Sequence, residues 1–213
     1  MAKTRFYLIR HGQTDWNKEK RYQGWSDIAL SDAGKEQAEA LGQRFRRLPL
    51  DALYVSPLRR AIQTAEPISR ITGIPMEIDE HFKEINLGEW EGHTIAELEE
   101  MYGDTYRAFY ADPFDAQIPG EGSFHKAGDR ALEGLRQLME KHEGQRVAIV
   151  SHGGLLRIML VLALEVDKSF YRKTWMSNTS ITTLDVMENG KLRLTGLNDK
   201  AHLEALYYEE KGV

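Results

Sequence analysis

A chain of 213 residues, 41% of them hydrophobic, fits one compact domain with insertions on one face, and its length is enough to bury about 70% of the unfolded surface. With 28 Lys+Arg against 33 Asp+Glu the net charge is −5, which argues against a general nucleic-acid or membrane-surface binder but not against a few arginines gathered around a small anion. The absence of cysteine excludes disulfides, cysteine-type zinc sites and thiol nucleophiles.

The first apolar run, Phe6-Tyr7-Leu8-Ile9, predicts a strand over residues 5–9. Residues 1–5 lead into this apolar stretch, which is too short for a signal h-region, and no small-residue cleavage site follows. No window approaches about 20 apolar residues, so no membrane span is expected and a cytoplasmic location is the default. The strand runs into Arg10-His11-Gly12-Gln13, which puts an arginine and a histidine where a buried strand gives way to a loop. In open α/β sheets, ligands bind outside the carboxyl ends of the strands.

A polar loop with Trp16, Asn17, Tyr22 and Trp25 follows. Ser31 reads as the N-cap of a helix carrying Ala33, Ala38, Leu41 and Phe45 at helical spacing. Residues 51–55 predict a second strand, and Pro57 suits the first position of the next helix, where its missing N–H is not needed. Arg59 and Arg60 point about 100° apart on that helix, so one of them faces a pocket and the other solvent. Glu84 stands in a loop-like stretch, where the residue type alone favours a solvated charge over an acid.

Thr94-Ile95-Ala96-Glu97 is a capping-box pattern and opens another helix. The segment 86–122 is poor in strand signals and reads as a cap inserted near the pocket. Residues 120–123 form a loop, with Ser123 capping a helix to about His142. A strand over 147–150 then leads into Ser151-His152-Gly153-Gly154 and a helix over 154–164, whose exposed N-terminal N–H groups suit a phosphate. Apolar runs at 181–186 and 192–197 flank Asn189-Gly190, a hairpin signal. Strands alternating with helices predict a three-layer α/β/α sandwich, mostly parallel, with an antiparallel edge hairpin, in one domain spanning 1–213.

His11 and His152, each beside glycine at a strand end, suggest one shared pocket. Taken singly, each reads as a structural residue. Arg10 shifts that balance, since burying a guanidinium at a strand end is costly without an anion or carboxylate partner. Trp16, Tyr22, Trp25, Phe82 and Trp90 fit a substrate-facing wall and ordinary packing equally well. His81, His93, His125, His142 and His202 show no ligand spacing, and no metal site is expected.

Four motifs in this order resemble the histidine phosphatase superfamily, in its phosphoglycerate mutase-like branch. They are Arg10-His11-Gly12-Gln13-Thr14 with Asn17, then Tyr22-Gln23-Gly24 with Asp27 and Leu30; Ser56-Pro57-Leu58-Arg59-Arg60-Ala61; Glu84; and Ser151-His152-Gly153-Gly154. The resemblance covers nearly the whole chain and implies a phosphoglycerate mutase-like fold. It implies that His11 attacks phosphorus and forms a phosphohistidine, its other ring nitrogen held by a backbone carbonyl. Arg10, Arg60 and His152 would surround the phosphoryl oxygens, with Arg60 selected over Arg59 by the motif. Asn17, Gly153 and the backbone near Gln23 and Gly24 would add neutral donors, and Glu84 would protonate the leaving alcohol and then activate water.

Glu84-Ile85-Asn86-Leu87-Gly88 replaces the Asn-Glu-Arg-His-Tyr of the mutase subgroup, which points to the phosphatase members. Gly120-Glu121-Gly122-Ser123 carries one more glycine than the common Gly-Glu-Ser form and bears on specificity. The expected function is a metal-independent phosphatase of small phosphomonoesters, without a cofactor. Expected partners are a small phosphorylated metabolite and a second copy of the chain, not nucleic acid or a membrane. The alternatives are a phosphoglycerate mutase, which returns the phosphoryl group to substrate, and a non-catalytic phosphate-binding domain.

Overall fold

The computed structural model describes residues 4–116, 118–120 and 122–204. In chain order the elements are β1 (Arg5–Arg10), α1 (Asp15–Lys18), α2 (Asp32–Arg44), β2 (Ala52–Val55), α3 (Arg59–Thr72) and β3 (Met76–Ile78). Next come α4 (Ile95–Tyr102), α5 (Asp104–Ala111), α6 (Phe124–Lys141), β4 (Arg146–Ser151), α7 (Gly153–Ala163), α8 (Phe170–Lys173), β5 (Ile181–Val186) and β6 (Leu192–Asp199). The strands form one sheet in the order β3-β2-β4-β1-β5-β6. The four strands from β3 to β1 are parallel, while β5 and β6 add antiparallel to β1.

Side chains alternate across a strand, and β1 is buried on both faces. Phe6 and Leu8 enter a core with Leu135 of α6 and Leu155 and Met159 of α7. Tyr7 and Ile9 enter a second core with Leu41 of α2 and Ala61, Ala65 and Ile68 of α3. A sheet buried on both faces needs helices on both, which gives the three layers.

Local signals place most helix starts. The Ser31 hydroxyl accepts from Gly34 N–H, Ser123 from Lys126 N–H, and Thr94 and Glu97 complete both halves of a capping box. Three features depart from the sequence reading. Pro57 does not open α3, because Leu58 stays extended at φ −75° and ψ 136° with its side chain buried, and the helix begins at Arg59. Its cap is supplied from far away: the Asp27 carboxylate accepts from Arg59 N–H at 2.7 Å. The loop after β1 contains the short helix α1, closed by its own Thr14–Asn17 capping box. The short strand β3, with Glu77 and Ile78 exposed, has no alternating pattern and forms by pairing with β2.

Residues 86–122 hold a 3-10 turn at Gly88–Trp90 and the helices α4 and α5. Their aromatic residues pack edge to face: Trp90 against Phe109 at 4.8 Å and Phe109 against Phe124 at 5.4 Å between ring centroids. Phe82 and Trp90 are fully buried and belong to this core. Glu121, in the glycine-rich segment before α6, lies outside the described residues.

Candidate active site

Strands β1 and β4 are parallel neighbours in the register Arg10 to Ser151, so the residues that follow them emerge side by side. The rings of His11 and His152 lie 5.2 Å apart between centroids. The loop after β1 is pressed onto α2. Gln13 carbonyl accepts from Ser31 N–H at 2.8 Å, and a Cβ on Gly34 would stand 2.0 Å from that same oxygen. Only glycine permits so close an approach.

His11 is 3% exposed, and its Nδ1 lies 2.7 Å from the Gly12 carbonyl oxygen. A carbonyl only accepts, so Nδ1 carries the proton and Nε2 keeps a free lone pair. Burial first, then the charges of Arg60 and Arg10, hold the ring's pKa well below the usual histidine value. His152 is fully buried. Its Nδ1 accepts from Arg60 Nε–H at 3.2 Å, and its Nε2–H therefore donates to Ser56 Oγ at 2.7 Å. Burial, then Arg60, lowers its pKa in the same way. Both rings are neutral at physiological pH.

Arg60 is fully buried, while Arg59 is exposed and pairs with Asp27 at 3.5 Å. Arg60 Nη1 and Nη2 donate to the Ser26 and Gly24 carbonyls, each at 2.7 Å. Arg10 Nη1 donates to the Met176 carbonyl at 2.7 Å, and its Nε is buried with no hydrogen-bond partner among the described residues. Gly153 leaves room for it: a Cβ there would come within 3.1 Å of Arg10 Cδ and Nε. Burial lowers the pKa of both arginines to about 10, with Glu84 opposing, so both remain cations. Among the described residues no carboxylate lies within ion-pair distance of either guanidinium. Carbonyl dipoles hold the two cations in place, with no carboxylate in direct contact.

Glu84 faces the same cavity. Its Oε1 accepts from Ile85 N–H at 3.0 Å and from Leu155 N–H at 2.9 Å, at the N-terminal end of α7. Its loop is fastened from outside. Arg130 donates to the carbonyls of Glu80, His81, Lys83 and Glu84, and Trp25 Nε1–H donates to Glu84 O at 2.7 Å.

Asn17 Oδ1 receives Thr14 N–H, Thr14 Oγ and Asn178 Nδ2, which fixes its amide at the cavity wall. Gln23 and Gly24 line the cavity too, with the Gly24 carbonyl committed to Arg60 and Gln23 Oε1 buried without a partner among the described residues. All the residues expected at the site thus come together; His152 does not line the cavity, but its ring lies 5.2 Å from that of His11 and against Arg60. Of the aromatic residues in question, Trp16 and Tyr22 line the cavity and Trp25 braces the Glu84 loop.

Sequence reasoning missed Arg157, Tyr171 and Trp175, which line the cavity. Arg157 did leave a signal, being the only charged residue of the otherwise apolar α7 and one turn beyond Gly153. Arg130 was also missed, since its partners are backbone carbonyls 46 to 50 residues away. Among the described residues no group of three or more His, Asp or Glu forms a metal-binding cluster, and no helix is long and apolar enough to cross a membrane.

The family model described as histidine phosphatase superfamily (branch 1) matches residues 6–200. Phosphoglycerate mutase-like protein 4 of Arabidopsis thaliana is 31% identical, over 96% of this chain and 89% of its own length. Phosphoserine phosphatase 1 of Hydrogenobacter thermophilus is 32% identical, over 95% of each chain. The structure of an Entamoeba histolytica phosphoserine phosphatase mutant in complex with phosphoserine superposes with a TM-score of 0.84 at 33% identity, covering 94% of this chain and 99% of the other.

Proposed function

The chain belongs to the histidine phosphatase superfamily and is a phosphomonoester hydrolase; we propose that it works through a phosphohistidine on His11 and acts on small phosphorylated metabolites. One observation carries this reading: a neutral histidine with an unengaged Nε2 sits beside two buried guanidiniums that have no carboxylate partner.

In the first half-reaction His11 Nε2 attacks phosphorus in line with the P–O bond to the alcohol. The N–P bond forms, the P–O bond breaks, and Glu84 gives its proton to the departing oxygen. Arg10 and Arg60 supply fixed positive charge to the equatorial oxygens, and Asn17 adds a neutral donor. His152 supports Arg60 through Nδ1 and helps to set its orientation. In the second half-reaction Glu84, now a carboxylate, takes a proton from water, which attacks the phosphohistidine and regenerates His11. Release to water rather than back to an alcohol accords with the Glu84-Ile85-Asn86 sequence and with the phosphoserine phosphatases it is similar to. The reading extends to a single catalytic domain capped by residues 86–122 and to cytoplasmic residence, where phosphorylated metabolites are held.

The test is covalent labelling. Wild-type protein quenched during turnover of a radiolabelled phosphomonoester should carry acid-labile, base-stable phosphate, and His11→Ala should carry none. Near-normal turnover by the alanine variant would remove His11 from the chemistry. Production of an isomeric phosphoester without release of inorganic phosphate would favour the mutase.

A further inference from the structure

The cavity is larger and more cationic than a phosphoryl group requires. Its volume is about 870 Å³, near the top of the range for pockets that enclose a drug-sized ligand. The chain is acidic as a whole, yet among the described residues Glu84 is the only carboxylate in the lining. Arg10 and Arg60 serve the phosphoryl group in the reading above. Arg21 is spent on Glu19 at 2.7 Å and Glu97 at 3.1 Å. Arg172 is exposed and lies over the Tyr110 ring at 4.8 Å.

Arg157 differs from these. It is half-buried on α7, one turn from Gly153, and reaches the cavity. Its guanidinium lies 3.7 Å from the centroid of the Tyr171 ring and 5.7 Å from that of Trp175, and its Nε–H donates to Tyr171 O at 3.1 Å. Ring and carbonyl hold the guanidinium plane, the Tyr171 hydroxyl interacts with it, and among the described residues neither Nη group donates to a carbonyl or a carboxylate. No carboxylate of the described residues lies within ion-pair distance. The indole of Trp175 is also 5.7 Å from the guanidinium of Arg10, so two cations without a carboxylate of the described residues at ion-pair distance flank one ring. Holding two such charges close together is unfavourable unless an anion lies between or beside them. A planar fork of N–H donors matches a carboxylate or a phosphate.

We propose that Arg157, steadied by Tyr171 and Trp175, is a specificity residue that binds a second anionic group on the substrate's alcohol, either a carboxylate or another phosphate. This rests on the phosphatase reading and narrows its substrate class. Phosphomonoesters of alcohols carrying an acid group are preferred over esters of neutral alcohols.

Three esters with matched two-carbon alcohols separate the outcomes: phosphoglycolate, ethane-1,2-diol bisphosphate and ethyl phosphate. Wild-type kcat/KM should be higher for at least one of the doubly anionic esters than for ethyl phosphate. Arg157→Met should lower that ratio by at least about tenfold, as expected for loss of a charge-assisted hydrogen bond, chiefly through KM. Arg157→Lys should restore part of it. A fall confined to phosphoglycolate identifies a carboxylate, and one confined to the bisphosphate identifies a phosphate. Equal losses on ethyl phosphate and the anionic esters would make Arg157 a brace for the Tyr171 segment and overturn the proposal, as would a wild-type enzyme indifferent to the second anion. Absence of turnover and of phosphohistidine with all three esters would instead remove the phosphatase reading, and the proposal with it.

Discussion

Acidification from pH 7 to pH 5 should destabilise the folded chain through His11 and His152. Both rings have folded-state pKa values well below 6.5, chiefly because burial penalises the charged form. Between the folded and unfolded pKa values the unfolded chain binds more protons, so stability rises with pH there and is lost as pH falls. A histidine that titrates at about 6.5 when unfolded can forfeit at most about 2 kcal/mol by pH 5, at 1.36 kcal/mol per pH unit. Both rings act in the same direction, against the 5–15 kcal/mol that typically separates folded from unfolded states. Urea unfolding followed by circular dichroism at pH 7, 6 and 5 measures this. His11→Asn, which retains a donor for the Gly12 carbonyl, and His152→Asn should each lose less stability over that interval than wild type, by up to about 2 kcal/mol. Carboxylate titration is common to all three proteins and cancels in the comparison. Parallel losses in wild type and His11→Asn would refute the neutral nucleophile. The same depression predicts that the acid limb of kcat/KM, so far as His11 sets it, lies below pH 6.5.

The adjacent arginines should behave very differently. Arg60→Ala should lower kcat/KM by about 10²–10³-fold, the scale of losing a transition-state donor, and Arg59→Ala by less than about threefold; similar losses in steady-state kinetics would contradict the buried placement of Arg60. Glu84→Gln should depress hydrolysis of an alkyl phosphate far more than phosphorylation of the enzyme by an aryl phosphate, whose phenolate needs little protonation. That variant should also accumulate phosphohistidine in a rapid-quench assay, and equal losses with chemistry rate-limiting would count against Glu84 as the acid. Gly34→Ala should destabilise the fold by about 1–3 kcal/mol, because its Cβ would meet the Gln13 carbonyl at 2.0 Å, and an unchanged urea midpoint would contradict that packing.

The sequence by itself determined features that depend on neighbours within a turn or two. The caps Ser31, Thr94 and Ser123 satisfy N–H groups three residues away, and they placed α2, α4 and α6 correctly. Buried strands β1 and β4 were legible from their apolar runs, and the Asn189-Gly190 turn from Gly190 at φ +75°. The histidine-glycine pairs at two strand ends marked the pocket, and the motif match separated Arg60 from Arg59. What tertiary structure decided lies in contacts between residues far apart in the chain. Asp27 caps α3 across 32 residues, so the start of that helix could not be read from Pro57. Trp16 and Tyr22 face the cavity while Phe82 and Trp90 enter the core, although composition ranked them alike. Arg157 is a lone charge in an apolar helix until Tyr171 and Trp175 come to rest against it. The neutrality of His11 was beyond the sequence for the same reason. A pKa is set by the solvent excluded and the charges gathered around a group, and both exist only once β1, β4 and α3 are packed together.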